Sequence, residues 1–114
     1  MICDDDAAIL EMMGMIMEEY GYEVIAEGNS LNVLRRLEMD KPDLLLLDIW
    51  MSLLSGDQVL KNIKADPNFL RLPLIMYSAG SEGKAIALEC GAEDYIAKSF
   101  AMDDLEIKIR KLIT

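Results

Sequence analysis

The chain has 114 residues, of which 53% are hydrophobic, and its 21 acidic and 11 basic side chains give a formal net charge of -10. This size and composition predict one globular domain with a single core and exclude a disordered chain. The acidic balance argues against direct binding to nucleic acid, because phosphate backbones need a cationic surface. Histidine is absent, which excludes Ser-His-Asp and Cys-His catalysis and any histidine metal site.

The sequence carries no signal for a membrane or for secretion. No apolar run approaches the ~18 residues that a membrane span requires, and no basic start with an apolar signal segment is found. We therefore expect a cytoplasmic protein without membrane contact. Cys3 and Cys90 lack metal-ligand spacing and lie beside apolar neighbours, which favours two buried free thiols.

Short apolar stretches alternate with segments of helical spacing along the chain. In chain order the predicted elements are strand Ile2–Cys3, a helix from Ile9 to Tyr20, strand Tyr22–Ile25, a helix from Leu31 to Leu37 capped by Asn29 or Ser30, strand Leu44–Leu47, a helix from about Gly56 to before Pro67, strand Leu74–Tyr77, a helix from about Ser81 to Cys90, strand Tyr95–Ala97 and a helix from Met102 to Leu112. Five strand-helix units predict an α/β fold with a parallel sheet and helices on both faces.

The leucine run Leu44–Leu47 identifies the central strand. It does not alternate with polar residues, which is typical of a parallel strand buried on both faces. No linker or repeat interrupts the pattern, so residues 1–114 are predicted to form one domain. Because a strand usually has ~5 to 6 residues and Ile2–Cys3 has two, we expect the first strand to be truncated at the N-terminus.

Carboxylates follow two of the predicted strands. Asp4 and Asp5 follow the first strand, and Asp48 follows the third. In doubly wound proteins of the flavodoxin type the strand order is 2-1-3-4-5, and adopting that order here makes the first and third strands neighbours at the point where ligands bind. Three carboxylates gathered there would repel one another, and a hard divalent cation such as Mg²⁺ would relieve the repulsion.

Two further polar residues follow strands at the same edge. Ser78 comes after the fourth strand and Lys98 after the fifth, so the edge offers acids for a metal, a hydroxyl and an ammonium for an anion. These are the functional groups with which proteins carry out phosphoryl transfer. Taken singly, Asp48 or Ser78 could cap a turn or helix, and Lys98 could be a solvated surface charge. In the acidic run after the first strand, Asp4, Asp5 and Asp6 could cap the helix that follows and supply the acids of its first turn, and we assign this role mainly to Asp6. The joint placement at four strand ends favours a functional site.

The chain resembles the receiver domain of two-component response regulators over its whole length. The resemblance rests on "CDDD" after the first strand, "PDLLLLDIWMSLLSG" around the third, "PLIMYSAG" at the fourth and "GAEDYIAKSF" at the fifth. It implies that Asp48 is the phosphoacceptor and that Asp4 and Asp5 hold Mg²⁺, with Asp5 the direct ligand. It also implies that the backbone carbonyl of Trp50 is a third protein ligand.

The resemblance assigns the remaining site residues to the phosphoryl group and to a switch. Lys98 matches the lysine that pairs with the bound phosphoryl group, and Ser78 matches the hydroxyl residue that turns toward it. Tyr95 matches an aromatic residue that moves inward when Ser78 vacates its space. The readout surface implied is the face of the fourth helix, fifth strand and fifth helix, and the position of Ile107 off the apolar stripe of its helix predicts that it lies on or near that face.

The implied partners are a histidine kinase or a histidine phosphotransfer protein, since the chain has no histidine of its own. The switch would act on an output domain or protein, and a homodimer through the same face is a further option. The domain would catalyse only its own phosphotransfer and dephosphorylation, with no outside substrate. Ser52 and Ser99 stand where the family usually has proline, so the Lys98-Ser99 peptide is either a strained cis bond or trans.

Three other functions share the fold class. A pseudo-receiver would be a docking scaffold without phosphorylation, and the complete set of site residues argues against it. An aspartate-nucleophile phosphatase would carry a second acid two residues after the nucleophile, where this chain has Trp50. A flavin-binding electron carrier would need a phosphate loop rich in Ser, Thr or Gly after the first strand, where this chain has "DDDAAI".

Overall fold

Strands and helices alternate along the chain as the apolar pattern predicts. The computed structural model of the protein describes residues 1–79, 82–97 and 102–113. The strands in these ranges are β1 (Ile2–Cys3), β2 (Ala26–Glu27), β3 (Leu45–Asp48), β4 (Leu74–Ser78) and β5 (Asp94–Ala97). The helices are α1 (Ala7–Glu19), α2 (Val33–Asp40), α3 (Gly56–Lys64), α4 (Gly83–Cys90) and α5 (Met102–Ile113), with 3₁₀ turns at Ser30–Asn32 and Pro67–Phe69. In the same ranges, no helix has the length and apolar character needed to cross a bilayer.

The strands form one parallel sheet in the order β2-β1-β3-β4-β5. The predicted fold class and strand order are therefore confirmed. The order places β1 beside β3, so the chain segments that leave these two strands emerge next to each other. This edge, at the carboxyl ends of the strands, is where open parallel sheets bind ligands.

The leucine run divides its side chains between the two faces of the sheet. Leu45 and Leu47 pack with residues of α2, α3 and α4, whereas Leu44 and Leu46 pack with residues of α1 and α5. All four leucines are buried. A strand with helices on both faces has no solvent side, which is why the run does not alternate.

The second strand lies later in the chain than the apolar pattern predicts. The prediction Tyr22–Ile25 is wrong, because β2 consists of Ala26–Glu27. Being an edge strand, β2 pairs only with β1, and Glu27 accepts a hydrogen bond from the Asn29 N–H and pairs with Arg36. The side chains of the preceding apolar residues Tyr22, Val24 and Ile25 pack against the core, and the Ile25 carbonyl accepts a hydrogen bond from β1, from the Ile2 N–H at 2.8 Å.

Two of the predicted capping residues, Asp6 and Asn29, do cap a helix or a 3₁₀ turn. The Asp6 side chain accepts hydrogen bonds from the N–H groups of Ala8 and Ile9 and so begins α1. The Asn29 side chain caps the 3₁₀ turn before α2. Of the two thiols, both of which are free, only Cys3 is fully buried, whereas Cys90 is half-buried at the end of α4.

Candidate functional site

Three carboxylates meet at the carboxyl ends of β1 and β3. One oxygen each from Asp4, Asp5 and Asp48 lies within 4.8 Å of the others. Asp4 and Asp48 are completely buried, and Asp5 is exposed. The convergence predicted from the sequence is confirmed, and it follows from the order β2-β1-β3.

The carboxylates fit a small hard cation. Octahedral Mg²⁺ has oxygen ligands at about 2.1 Å, so two ligands on opposite sides lie about 4.2 Å apart. The observed limit of 4.8 Å therefore requires only a small contraction of the cluster. At an effective dielectric constant of about 20, two carboxylates about 5 Å apart repel by roughly 3 kcal/mol, which a divalent cation would offset.

Each carboxylate accepts a hydrogen bond from the main chain nearby. Asp4 Oδ1 accepts from the Asp6 N–H at 2.9 Å, and Asp48 Oδ1 accepts from the Trp50 N–H at 3.3 Å. Asp5 Oδ2 accepts from the Ser52 N–H at 2.8 Å. Ser52 thus supplies a donor that a proline at this position could not supply. The Asp5 interaction ties the loop after β3 to the loop after β1.

The end of β3 is closed by a close approach of α3. The Gly56 N–H donates to the Ile49 carbonyl at 2.8 Å. A Cβ atom on Gly56 would lie 2.2 Å from the Asp48 carbonyl oxygen and 2.7 Å from the Ile49 Cα. Because these neighbours are main-chain atoms, only glycine fits at the first residue of α3.

Tyr77 is a site residue that the sequence reasoning treated only as part of an apolar strand. Its hydroxyl donates to Asp4 Oδ2 at 2.9 Å and lies 3.4 Å from the Cys3 carbonyl. Burial, followed by the charge and hydrogen bond of Asp4, raises the pKa of Tyr77 far above its ordinary value. The signal in the sequence is a tyrosine inside a fully buried strand, since a buried phenol needs a polar partner.

Ser78 lies at the end of β4, and its neighbourhood differs from that of the acids. Ser78 is buried, and its Oγ shares a 2.8 Å hydrogen bond with the Tyr95 hydroxyl from β5. A Cβ atom on Gly83 would lie 2.1 Å from the Ser78 Oγ and 2.6 Å from the Tyr95 hydroxyl oxygen. The missing side chain at the start of α4 therefore makes room for this pair, a role for Gly83 that the sequence reasoning did not identify.

The remaining predicted residues are placed only in part. Trp50 lies two residues beyond Asp48, with half of its surface exposed. Lys98 and the Lys98-Ser99 peptide lie outside the described residues, so their predicted geometry stays a prediction. Ile107 is 44% exposed on α5, and its predicted place on or near the face of α4, β5 and α5 stays a prediction.

The family of the chain follows from a comparison with known proteins. Residues 1–110 match the family model described as the response regulator receiver domain. The chain belongs to this family. It is a receiver domain of the two-component type, a phosphoacceptor signalling module whose acidic cluster is of the kind that holds Mg²⁺ in such domains.

Curated relatives are longer than this chain. It is 30% identical to the alkaline phosphatase synthesis transcriptional regulatory protein PhoP of Bacillus subtilis, over 99% of this chain and 47% of the relative. It is 34% identical to the phosphate regulon transcriptional regulatory protein PhoB of Pseudomonas aeruginosa, over 99% of this chain and 50% of the relative. The chain thus spans about half the length of these curated relatives.

Solved structures share the fold over nearly the whole chain. The signal receiver domain of a signal transduction histidine kinase from Syntrophus aciditrophicus has a TM-score of 0.91 and 28% identity, covering 98% of this chain and 86% of that one. The receiver domain of NtrX from Brucella abortus has a TM-score of 0.89 and 27% identity, covering 98% of this chain and 95% of that one. The same fold is therefore found in the receiver domain of a histidine kinase and in that of NtrX.

Proposed function

We propose that the chain is a signalling switch in which Asp48 accepts a phosphoryl group from a phosphohistidine on a partner protein. The observation that carries the proposal is the convergence of the buried Asp48 carboxylate with Asp4 and Asp5 at the ligand-binding edge of the sheet. The partner would be a histidine kinase or a histidine phosphotransfer protein, because this chain supplies no histidine. We further propose that residues 1–114 form one receiver domain and that it works in the cytoplasm.

The transfer step uses the Asp48 carboxylate as nucleophile. One of its oxygens forms a bond to phosphorus while the nitrogen-phosphorus bond of the partner's phosphohistidine breaks. The imidazole nitrogen keeps the electron pair and takes up a proton, and Asp48 becomes an acyl phosphate. A magnesium ion held by Asp4, Asp5, Asp48 and the Trp50 carbonyl would supply charge neutralisation for the phosphoryl oxygens. The burial of Asp48 limits the access of water to the reacting carboxylate.

Ser78, Lys98 and Tyr95 are assigned to the response. The added phosphoryl group brings close to two negative charges and new acceptor oxygens. The Lys98 ammonium would pair with it, and the Ser78 hydroxyl would turn from Tyr95 to donate to it. Because Ser78 and Tyr95 share a hydrogen bond, a movement of Ser78 changes the packing of Tyr95. The face of α4, β5 and α5, on or near which we predict that the exposed Ile107 lies, would then present a different surface to an output partner or to a second copy.

The proposal is tested by incubating the protein with Mg²⁺ and acetyl phosphate and measuring its intact mass. We expect one phosphoryl adduct on the wild type, none on Asp48→Asn, and none when the metal is chelated. Asp40→Asn is the matched control, because it makes the same chemical change at an exposed carboxylate paired with Arg36 on α2. Absence of the adduct on the wild type would contradict the switch and favour a docking scaffold, and steady turnover of phosphate esters would favour a phosphatase.

A further inference from the structure

The hydroxyl of Tyr77 reaches the acidic cluster from an unexpected strand. Tyr77 lies on β4, whereas Asp4 follows β1, and β3 runs between them. Neighbouring strands are about 4.8 Å apart, so this contact crosses roughly 10 Å of sheet. A leucine or valine at this position would stop short of Asp4. The tyrosine spans the gap and ends in a 2.9 Å hydrogen bond to Asp4 Oδ2.

The contact leaves the Asp4 carboxylate held at both oxygens. Oδ1 accepts from the Asp6 N–H and Oδ2 accepts from the Tyr77 hydroxyl. Each carboxylate oxygen has two acceptor sites, so both oxygens can still face a cation or its water. The ring of Tyr77 is itself immobilised, because it is fully buried in the cluster formed with α1 and α5.

We propose that Tyr77 is a positioning residue for the metal site, which fixes the orientation of the Asp4 carboxylate before a divalent cation binds. This inference rests on the proposed function, since it concerns the same site. The hydrogen bond removes the rotational freedom that Asp4 would otherwise lose on binding the cation. Partners that orient metal ligands in this way typically change metal affinity by about 10- to 100-fold.

The test compares Mg²⁺ binding by the wild type and Tyr77→Phe, which keeps the ring and removes the hydroxyl. Trp50 is the one tryptophan of the chain and follows Asp48 by two residues, so its fluorescence reports on the site. We expect the dissociation constant for Mg²⁺ to rise about tenfold in Tyr77→Phe. In the acetyl phosphate reaction, the Mg²⁺ concentration for half-maximal rate should rise equally, with the rate at saturating Mg²⁺ retained.

Two controls separate positioning from a general loss of packing. Tyr22→Phe removes a similar tyrosine-carboxylate bond, 3.1 Å to Glu106 on α5, and should leave Mg²⁺ affinity unchanged. In an Asp4→Asn background, Tyr77→Phe should have no further effect on affinity, because the hydroxyl acts through Asp4. An equal additional loss in that background would overturn the proposal.

The outcomes distinguish this inference from the proposed function. If the wild type binds no Mg²⁺, the proposed function fails and the inference fails with it. If the wild type binds Mg²⁺ and Tyr77→Phe binds it equally well or more tightly, only the inference fails. Should Tyr77→Phe not fold, fluorine NMR of the 3-fluorotyrosine-labelled wild type decides, with the other three tyrosines assigned by their Phe variants. A Tyr77 resonance that shifts on adding Mg²⁺ supports the proposal, and an unchanged one overturns it.

Discussion

The two halves of the site are held in different ways. Around β1 and β3, the carboxylates of Asp4, Asp5 and Asp48 accept hydrogen bonds from the main chain, and Asp4 also from a buried tyrosine. Around β4 and β5, the main contact is a 2.8 Å hydrogen bond between two side-chain hydroxyls, either of which can be the donor, with a longer 3.4 Å contact from the Tyr95 hydroxyl to the Ser78 carbonyl. Main-chain donors are fixed by the fold, whereas hydroxyls rotate.

This difference matches the function proposed for each half, which is metal binding for the acidic half and switching for the hydroxyl half. A metal site gains affinity when its ligands are already in position, since less order must be imposed on binding. A switch needs two arrangements that differ little in free energy. The Ser78 Oγ and the Tyr95 hydroxyl are the ends of side chains, and Gly83 places no side chain against them, so we expect this hydrogen bond to change without movement of the main chain. The acidic half is therefore the rigid part of the site, and the hydroxyl half is the adjustable part.

Gly56→Ala should have the largest effect, because it breaks the rigid half at its main chain. The new Cβ atom would overlap the Asp48 carbonyl oxygen and the Ile49 Cα, neither of which can rotate away. We expect the free energy of unfolding, measured by urea denaturation, to fall by about 3 kcal/mol.

The matched control for that variant is Gly14→Ala, within α1. Its Cβ atom would meet the Val24 side chain at an ordinary 3.6 Å, and alanine favours a helix over glycine by about 1 kcal/mol. We therefore expect Gly14→Ala to leave stability unchanged or to increase it. A loss equal to that of Gly56→Ala would show that the close approach of α3 to β3 is not the cause.

Tyr77→Phe should come second in its effect on stability. It leaves a buried carboxylate with one hydrogen-bond donor fewer, and hydrogen bonds to charged groups contribute about 1.5 to 3 kcal/mol. We expect a loss of about 2 kcal/mol in metal-free urea denaturation. Tyr95→Phe, which removes a bond between neutral hydroxyls and a longer contact to the neutral Ser78 carbonyl, should cost about 1 kcal/mol or less. Equal losses would remove the distinction between the two halves.

Much of this arrangement can be predicted from the sequence. The leucine run and the polar residues at successive strand ends predicted a parallel sheet with these residues at one edge, and the strand order adopted from flavodoxin-type proteins predicted that Asp4 meets Asp48. The contacts of Tyr77 and Gly83 could not be predicted in this way. They depend on side-chain reach across a strand and on how closely α4 approaches the sheet, and neither quantity is encoded in apolar periodicity. The edge strand β2 was misplaced because an edge needs no continuous apolar run.

Gly83→Ala should have a smaller effect than Gly56→Ala and Tyr77→Phe, and it acts on the adjustable half. Its Cβ atom would overlap the Ser78 Oγ, the Tyr95 hydroxyl and the Tyr95 Cε1, but all three are side-chain atoms that can move away. We expect a loss of about 1 kcal/mol in the free energy of unfolding and a more exposed Tyr95. In a Ser78→Ala background the loss should shrink, since the closest overlap, 2.1 Å to the Ser78 Oγ, is gone. An undiminished loss would place the strain at Tyr95 or elsewhere in α4.

Ser52→Pro should have the smallest effect, and it compares Asp5 with Asp4 within the rigid half. Proline removes the N–H that donates to Asp5 Oδ2, but Asp5 is exposed and water can replace the donor. We expect the Mg²⁺ dissociation constant to change by less than about threefold, with Ser52→Ala, which keeps the N–H, as control. Asp4, by contrast, is buried, and water cannot replace its tyrosine partner so readily. If Ser52→Pro weakened Mg²⁺ binding more than Tyr77→Phe, the loop after β3 rather than the buried tyrosine would be the main support of the acidic cluster.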